Sequence, residues 1–335
     1  MTEPAEQPPT LIRDLFGWYG VTLLALGDRA GLLDGLIVGP GTAEEIAARA
    51  GVDERNAFEW LRGLVAGGHA RHAAGVFTVD PTTAFIFGPQ FPHNFRAVLA
   101  FTQEVPSVVA EVAQAIASGR GVLPASYAAL SAAAGEVNLP TYRQSLVDEW
   151  ISGVPGLAET LAEGGAVADI AAGGGDAAAL VATAFPRARV HAYDVADGAR
   201  PDLPGNVEFS VADASSLPDD GPFDLIYILD SFHHLGDPAL VLAGIRRNLA
   251  ARGTLMIVEQ GMSGDVDQDA TDPFAVVAYA CGLLYCLQES ISAGGAHSNA
   301  DGSGWIEAAL TQAGFTTVAV TPTESGFAVI TATAE

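Results

Sequence analysis

The stretch Val167-Ala168-Asp169-Ile170-Ala171-Ala172-Gly173-Gly174-Gly175 decides how this 335-residue chain is read. An apolar run with strand character stops at three consecutive glycines. The Ala-rich segment Ala177–Phe185 that follows has the composition of a helix. Glycines at such a turn let backbone approach a ligand with no Cβ in the way. The helix beyond it begins with unpaired N–H groups, which attract a carboxylate or phosphate. Alone, a glycine turn is a weak signal, so the weight falls on what surrounds it.

Toward the C-terminus the alternation continues. Strands are expected at Val167–Ala171, Arg189–Asp194, Val207–Ala212, Phe223–Leu229 and Gly253–Gln260. Helices separate them, including Ala177–Phe185 and Pro238–Ala250. This alternation predicts an α/β, Rossmann-like parallel sheet covered on both faces. A helix near Gly304–Ala313 and strands near Phe315–Val320 and Gly326–Thr333 close the chain. Residues 263–302 interrupt the pattern. They start acidic and polar, turn apolar and aromatic at Pro273–Leu287, and loosen at Gly294–Gly304. A connection that long is usually functional or disordered, and it reads as a cap over a substrate pocket.

Two acids strengthen the glycine signal. Asp194 ends the second strand, nineteen residues after Gly175, where a carboxylate can take both hydroxyls of a ribose. Asp213 ends the third, nineteen residues further on. Both fall at the C-terminal edge of the sheet, where open α/β sheets bind ligands.

Toward the N-terminus the character changes. Leu11, Leu15, Trp18, Leu23, Leu26, Leu32 and Leu36 recur at helical spacing, with a break allowed at Gly27 and Gly31. Thr42 and Glu45 form a capping box on a short helix that Gly51 ends. A helix over Glu54–Ala66 and a hairpin over His69–Val79, turning at Ala74-Gly75, complete a winged-helix order. Residues 91–163 read as a helical connector broken at Gly119–Pro124 and at Leu139-Pro140. The expected division is therefore 1–90, 91–163 and 164–335.

Composition narrows the function. Forty acids against fifteen bases leave a net charge of −25, and all fifteen bases are Arg. Without Lys there is no Walker A loop, pyridoxal Schiff base or lysine nucleophile. A charge of −25 opposes binding to nucleic-acid phosphates, and Arg55 and Arg62 on the second winged-helix helix are balanced by Glu54 and Glu59. That domain therefore reads as a homodimer interface rather than a DNA reader, with Trp18 and Tyr19 as core or interface residues. No run of 18 uncharged apolar residues reads as a membrane span. The start, MTEPAEQPPT, lacks the pattern of a signal peptide. Cys281 and Cys286 cannot frame disulfides or a four-thiolate zinc site. The expectation is a cytoplasmic protein that acts on a small molecule, with no nucleic-acid or membrane partner.

These motifs together resemble the class I S-adenosylmethionine-dependent methyltransferases. Within them the chain resembles the winged-helix, dimeric small-molecule O-methyltransferase-like family. The resemblance is carried by Asp169, Gly173 and Gly175 in the glycine motif, by Asp194 and by Val211-Ala212-Asp213-Ala214. Phe223-Asp224-Leu225-Ile226 and the turn at Arg252-Gly253 extend it. Ala171 departs from the pattern, standing where the family often has its first glycine. The resemblance implies S-adenosylmethionine as cofactor, with Asp194 on its ribose and Asp213 and Ala214 on its adenine. It also implies the methionine portion near Gly173, and it places Asp230 and Arg143 among the contacts, Arg143 as a partner for the carboxylate or as an ordinary surface ion pair. The cofactor's sulfonium activates a methyl for in-line displacement. The chain must orient it, exclude water and, for a hydroxyl acceptor, remove a proton, none of which requires a metal.

Candidates for that proton transfer are His233 and His234, in Asp230-Ser231-Phe232-His233-His234-Leu235 after the fourth strand. The family has its catalytic His here, usually as His-Asp-Trp. His233 aligns with it, and His234-Leu235 replaces the rest. A structural or cofactor-side role stays open for the pair. No acidic cluster is evident that would make it a metal site. Tyr279, Tyr285 and His297 are substrate-side candidates in the cap. The leading expectation is methyl transfer to a small, largely apolar molecule, a secondary metabolite, with oxygen preferred over nitrogen or carbon. Three alternatives remain: a non-methylating enzyme on the same fold, a winged-helix regulator, and a NAD-dependent dehydrogenase. For the last, Ala178 falls where the final glycine of G-x-G-x-x-G would stand.

Overall fold

The computed structural model describes residues 9–88, 90–91 and 93–334. The first eight residues, read above for the lack of a signal peptide, lie outside them. The chain divides into two compact units, one ending at Pro106 and the other starting at Ser107.

The first unit is built as its periodicity predicts. Helices α1 (Thr10–Arg29) and α2 (Leu32–Ile37) are parted at Gly31, whose φ of +72° suits glycine. The Thr42–Glu45 capping box starts α3 (Ala43–Ala50), and Asp53 caps α4 (Glu54–Ala66). Strands β1 (Ala70–Ala73) and β2 (Val76–Val79) pair antiparallel across Ala74-Gly75. Helix α5 spans Pro81–Ile86. The core centres on Trp60, Leu61 and Leu64 against Leu33, Leu36 and Ile46. Trp60 donates its Nε1–H to the Leu23 carbonyl at 2.7 Å. Any Cβ at Gly27 would collide with that indole.

Helix α6 (Phe95–Ser118) leads from one unit into the next. Helix α7 (Ala128–Ser145) corrects the expected break at Leu139-Pro140, because it runs through Pro140 without interruption. The irregularity comes six residues later, as a wide π-helical turn at Leu146–Ile151. Helix α8 (Leu157–Ala162) then feeds the sheet.

The sheet alternates strand and helix. β3 (Ala166–Ile170) leads to α9 (Asp176–Ala184), then β4 (Arg189–Asp194), β5 (Val207–Val211) and β6 (Phe223–Leu229). Helix α10 (Pro238–Asn248) precedes β7 (Leu249–Gln260). After the cap come α14 (Gly304–Gln312), β8 (Thr316–Pro322) and β9 (Phe327–Thr333). The strand order is β5-β4-β3-β6-β7-β9-β8, parallel through β7 and antiparallel at β9 and β8. Strand β7 starts earlier than expected because the chain bulges between Leu249 and Thr254 while staying paired to β6.

Both sheet faces are buried. Along β6, Leu225, Tyr227 and Leu229 join Trp150, Val181 and Met256 on one side. Ile226 and Ile228 join Phe232, Val241 and Leu310 on the other. That is the two-residue period of a strand, and each such side chain contributes about 1.5–3 kcal/mol by leaving water. The chain winds outward from β3 through β4 and β5, then restarts on the other side at β6. The order therefore reverses between β3 and β6, which places the ligand crevice at their C-terminal ends.

The cap is more ordered than its composition implies. Helices α11 (Val266–Asp269), α12 (Ala275–Cys281) and α13 (Leu287–Ser292) form it, with α12 and α13 joined by a π-helical turn at Gly282–Cys286. Residues 275–292 reach a mean hydropathy of 1.3, and their length would cross a membrane. They also carry Glu289, whose carboxylate is bound to His234.

Candidate active site

The turn after β3 needs unusual backbone. Ala171, Gly173 and Gly175 have φ of +59°, +57° and +85°, the region where L-residues clash with their own carbonyls. A Cβ built on Gly173 would meet nothing within 4 Å. The space over the turn is therefore open, and the glycine is required by its dihedral angle. Asp194 closes the turn from β4: its carboxylate accepts from Gly173 N–H at 2.7 Å and Ala196 N–H at 2.9 Å. Burial raises the Asp194 pKa, partly offset by those N–H groups.

Asp169 lies beneath the turn rather than in it. It is 2% exposed, accepts from Tyr227 Oη at 3.1 Å, and is pushed by burial up to about 8. Asp213 is exposed at the end of β5. Its Oδ1 accepts from the N–H and hydroxyl of Ser215, so it caps the short turn that Ala214 begins.

The histidines stand where β6 ends. Asp230, at φ +48°, is followed by a single helical turn, Phe232–His234. His233 is 2% exposed, and its Nδ1 meets Glu259 Oε2 at 2.5 Å. Its Nε2 is buried without a partner. Burial pushes Glu259 up to about 8 and holds His233 below its ordinary value. His234 Nδ1 meets Glu289 Oε2 at 2.6 Å, and its ring lies 4.7 Å from that of Tyr285. Asp230 Oδ2 accepts from Asn138 at 2.8 Å, while Oδ1 is buried and unpartnered.

The structure gathers His233, His234, Asp230 and Tyr285, and fixes Tyr285 by a 2.7 Å bond to Ser131. It engages other candidates elsewhere. Tyr279 donates to Asp269 at 2.9 Å. His297 stacks on Trp305 with ring centroids 3.6 Å apart and bonds to Asp301; it borders an open groove of about 880 Å³ with Asp237, Arg246 and Arg247. Arg143 is exposed, in a cleft of about 260 Å³ beside Asp176 and Arg200 at the flank of α9.

One expectation needs correction. The histidine pair does have acidic partners, Glu259 and Glu289, from segments 26 and 55 residues away. Neither was singled out from the sequence. The available signal was an acid closing the apolar strand Leu255–Val258, and another two residues after the apolar run Ala275–Leu287.

Residues 168–255 match a family described as a methyltransferase domain, and residues 20–79 match the Rv2258c-like winged HTH domain. No curated protein matches the sequence. Among solved structures, the chain is similar to CalO1, a methyltransferase in calicheamicin biosynthesis, in its SAH-bound form. That likeness has 20% identity, covers 97% of each chain and has a TM-score of 0.65. Human N-acetylserotonin methyltransferase in complex with SAM is 17% identical over 100% of this chain and 99% of that one, with a TM-score of 0.67. An O-methyltransferase family protein from Burkholderia thailandensis is 17% identical, covering 98% and 99%, with a TM-score of 0.70.

The fold and the domain match define a class I methyltransferase fold with an appended winged-helix domain. The chain accordingly carries a methyltransferase domain, which implies S-adenosylmethionine as the cofactor. The residues present fit that group. Open space lies over Gly173, a carboxylate sits at the end of β4, and acceptor atoms are left unpartnered at the end of β6.

Proposed function

We propose that the chain methylates a hydroxyl of a small, largely apolar molecule of secondary metabolism, with His233 as general base. The observation that carries this reading is the buried, unpartnered Nε2 of His233 on a ring whose other nitrogen is held by Glu259. We assign the proton shared between those two groups to Nδ1, which leaves the Nε2 lone pair for the acceptor. The bound cofactor supplies a methyl on a sulfonium. His233 would take the hydroxyl proton as the acceptor oxygen is methylated and S-adenosylhomocysteine is left, and Glu259 would stabilise the imidazolium that results. Asp194 holds the ribose, Asp213 and Ala214 the adenine edge, and the turn at Gly173–Gly175 the methionine portion, with Asp169 and Ala171 shaping that turn. Tyr285 and His234 wall the acceptor side.

The likeness to a methyltransferase in calicheamicin biosynthesis supports the substrate class. The first unit supports homodimerisation rather than DNA binding. Arg55 and Arg62 on α4 are both paired with Glu59, while Leu11, Leu15, Phe16, Trp18 and Tyr19 leave an apolar surface on α1 exposed. We place the protein in the cytoplasm and its domains at 1–90, 91–163 and 164–335. The test is His233→Ala, which should lower turnover by roughly 10²–10⁴-fold while S-adenosylhomocysteine binds as before. Unchanged turnover would remove His233 as the base.

A further inference from the structure

The surroundings of the histidine pair hold more than a general base requires. One ligand atom each from His233, His234 and Cys286 lie within 4.8 Å of one another, as do those of Asp230, His233 and Glu259. Cys286 is 4% exposed and forms no disulfide among the described residues. Each histidine has its Nδ1 on a carboxylate, Glu259 for one and Glu289 for the other. Such outer carboxylates fix the orientation and tautomer of metal-binding imidazoles and leave Nε2 as the ligand atom. On His233, 2% exposed, that Nε2 has no partner among the described residues. Three carboxylates and a thiol thus surround the two rings, and no arginine forms an ion pair with any of them among the described residues.

We propose that His233, His234 and Cys286 form a binding site for a thiophilic divalent cation of the zinc type. Two imidazole nitrogens and one thiolate are a donor set that selects such ions over magnesium or calcium. Three protein ligands leave a fourth position open. Tetrahedral bonds of about 2.0–2.3 Å require the three atoms to draw together slightly, by rotation of the side chains. On binding, the Cys286 thiol releases its proton to solvent, both rings bind as neutral imidazoles, and no electrons are transferred. The binding claim rests on this geometry alone. Its consequence rests on the proposed function: an ion on Nε2 occupies the lone pair assigned to the base, so a loaded site is a blocked one.

The test uses full-length protein stripped with chelator, then titrated with CoCl₂ or ZnCl₂ alone. About one equivalent per chain should survive desalting, and Co²⁺ should give the strong visible bands of a four-coordinate ion with a thiolate charge-transfer band in the near ultraviolet. Cys286→Ser should lose the charge-transfer band, whereas Cys281→Ser should keep it. Glu289→Gln, which keeps every ligand, should weaken the metal by about 10–100-fold. Wild-type protein that retains no metal would overturn the site, as would a band that survives Cys286→Ser. Either result leaves the cofactor and methyl-transfer reading standing, since that reading is tested separately by S-adenosylhomocysteine binding.

Discussion

Ala171 shows what a single residue costs. It holds φ +59° without being glycine, so it bears left-handed strain of about 1–2 kcal/mol, offset by the lower entropy of an alanine-containing unfolded chain. Ala171→Gly should raise stability by up to about 1 kcal/mol in urea titration; a loss would show that the Ala171 methyl packs usefully. Asp169 sets a pH dependence. Burial raises its pKa from 3.8 to about 8, so the folded state resists ionising it. Its contribution is therefore fully present below pH ~4 and is lost as pH rises through about 8. Asp169→Asn removes that titration while keeping an acceptor for Tyr227. Its melting temperature should fall less than that of wild type between those limits. Parallel pH profiles for the two proteins would reject the assignment.

At the scale of elements, the strands were largely legible. β4 and β6 have their expected limits, because each is an apolar run closed by an acid or a turn. Pro140 misled, since a missing N–H ends many helices but here is absorbed within α7. The pairing of His233 with Glu259 and of His234 with Glu289 was illegible for another reason. Each joins segments brought together only by sheet order and cap packing, and local periodicity carries no such information. The exposed surface of α1 makes its own prediction. If it is a dimer interface, Phe16→Asp should yield monomers by light scattering without lowering the intrinsic melting temperature of the second unit. A monomeric wild type would contradict the role given to the first unit.

For the whole molecule, the charge of −25 with no Lys is a source of self-repulsion. Moving from about 10 mM to 150 mM salt shortens the Debye length from about 30 Å to 8 Å. The melting temperature should therefore rise over that range, and a fall would mean that attractive pairs dominate the surface. The same acidity suits a cationic cofactor at the edge of β3, β4 and β6, where Asp194 and Asp230 lie. The most direct measurement is calorimetric titration of wild type and Asp194→Ala with S-adenosylhomocysteine, with NAD as the control. Wild type should bind S-adenosylhomocysteine at a single site and gain about 2.7 kcal/mol of stability at a hundredfold excess over Kd, Asp194→Ala should bind far more weakly, and NAD should not bind. Equal affinity in the variant, or binding of NAD in place of S-adenosylhomocysteine, would contradict the account.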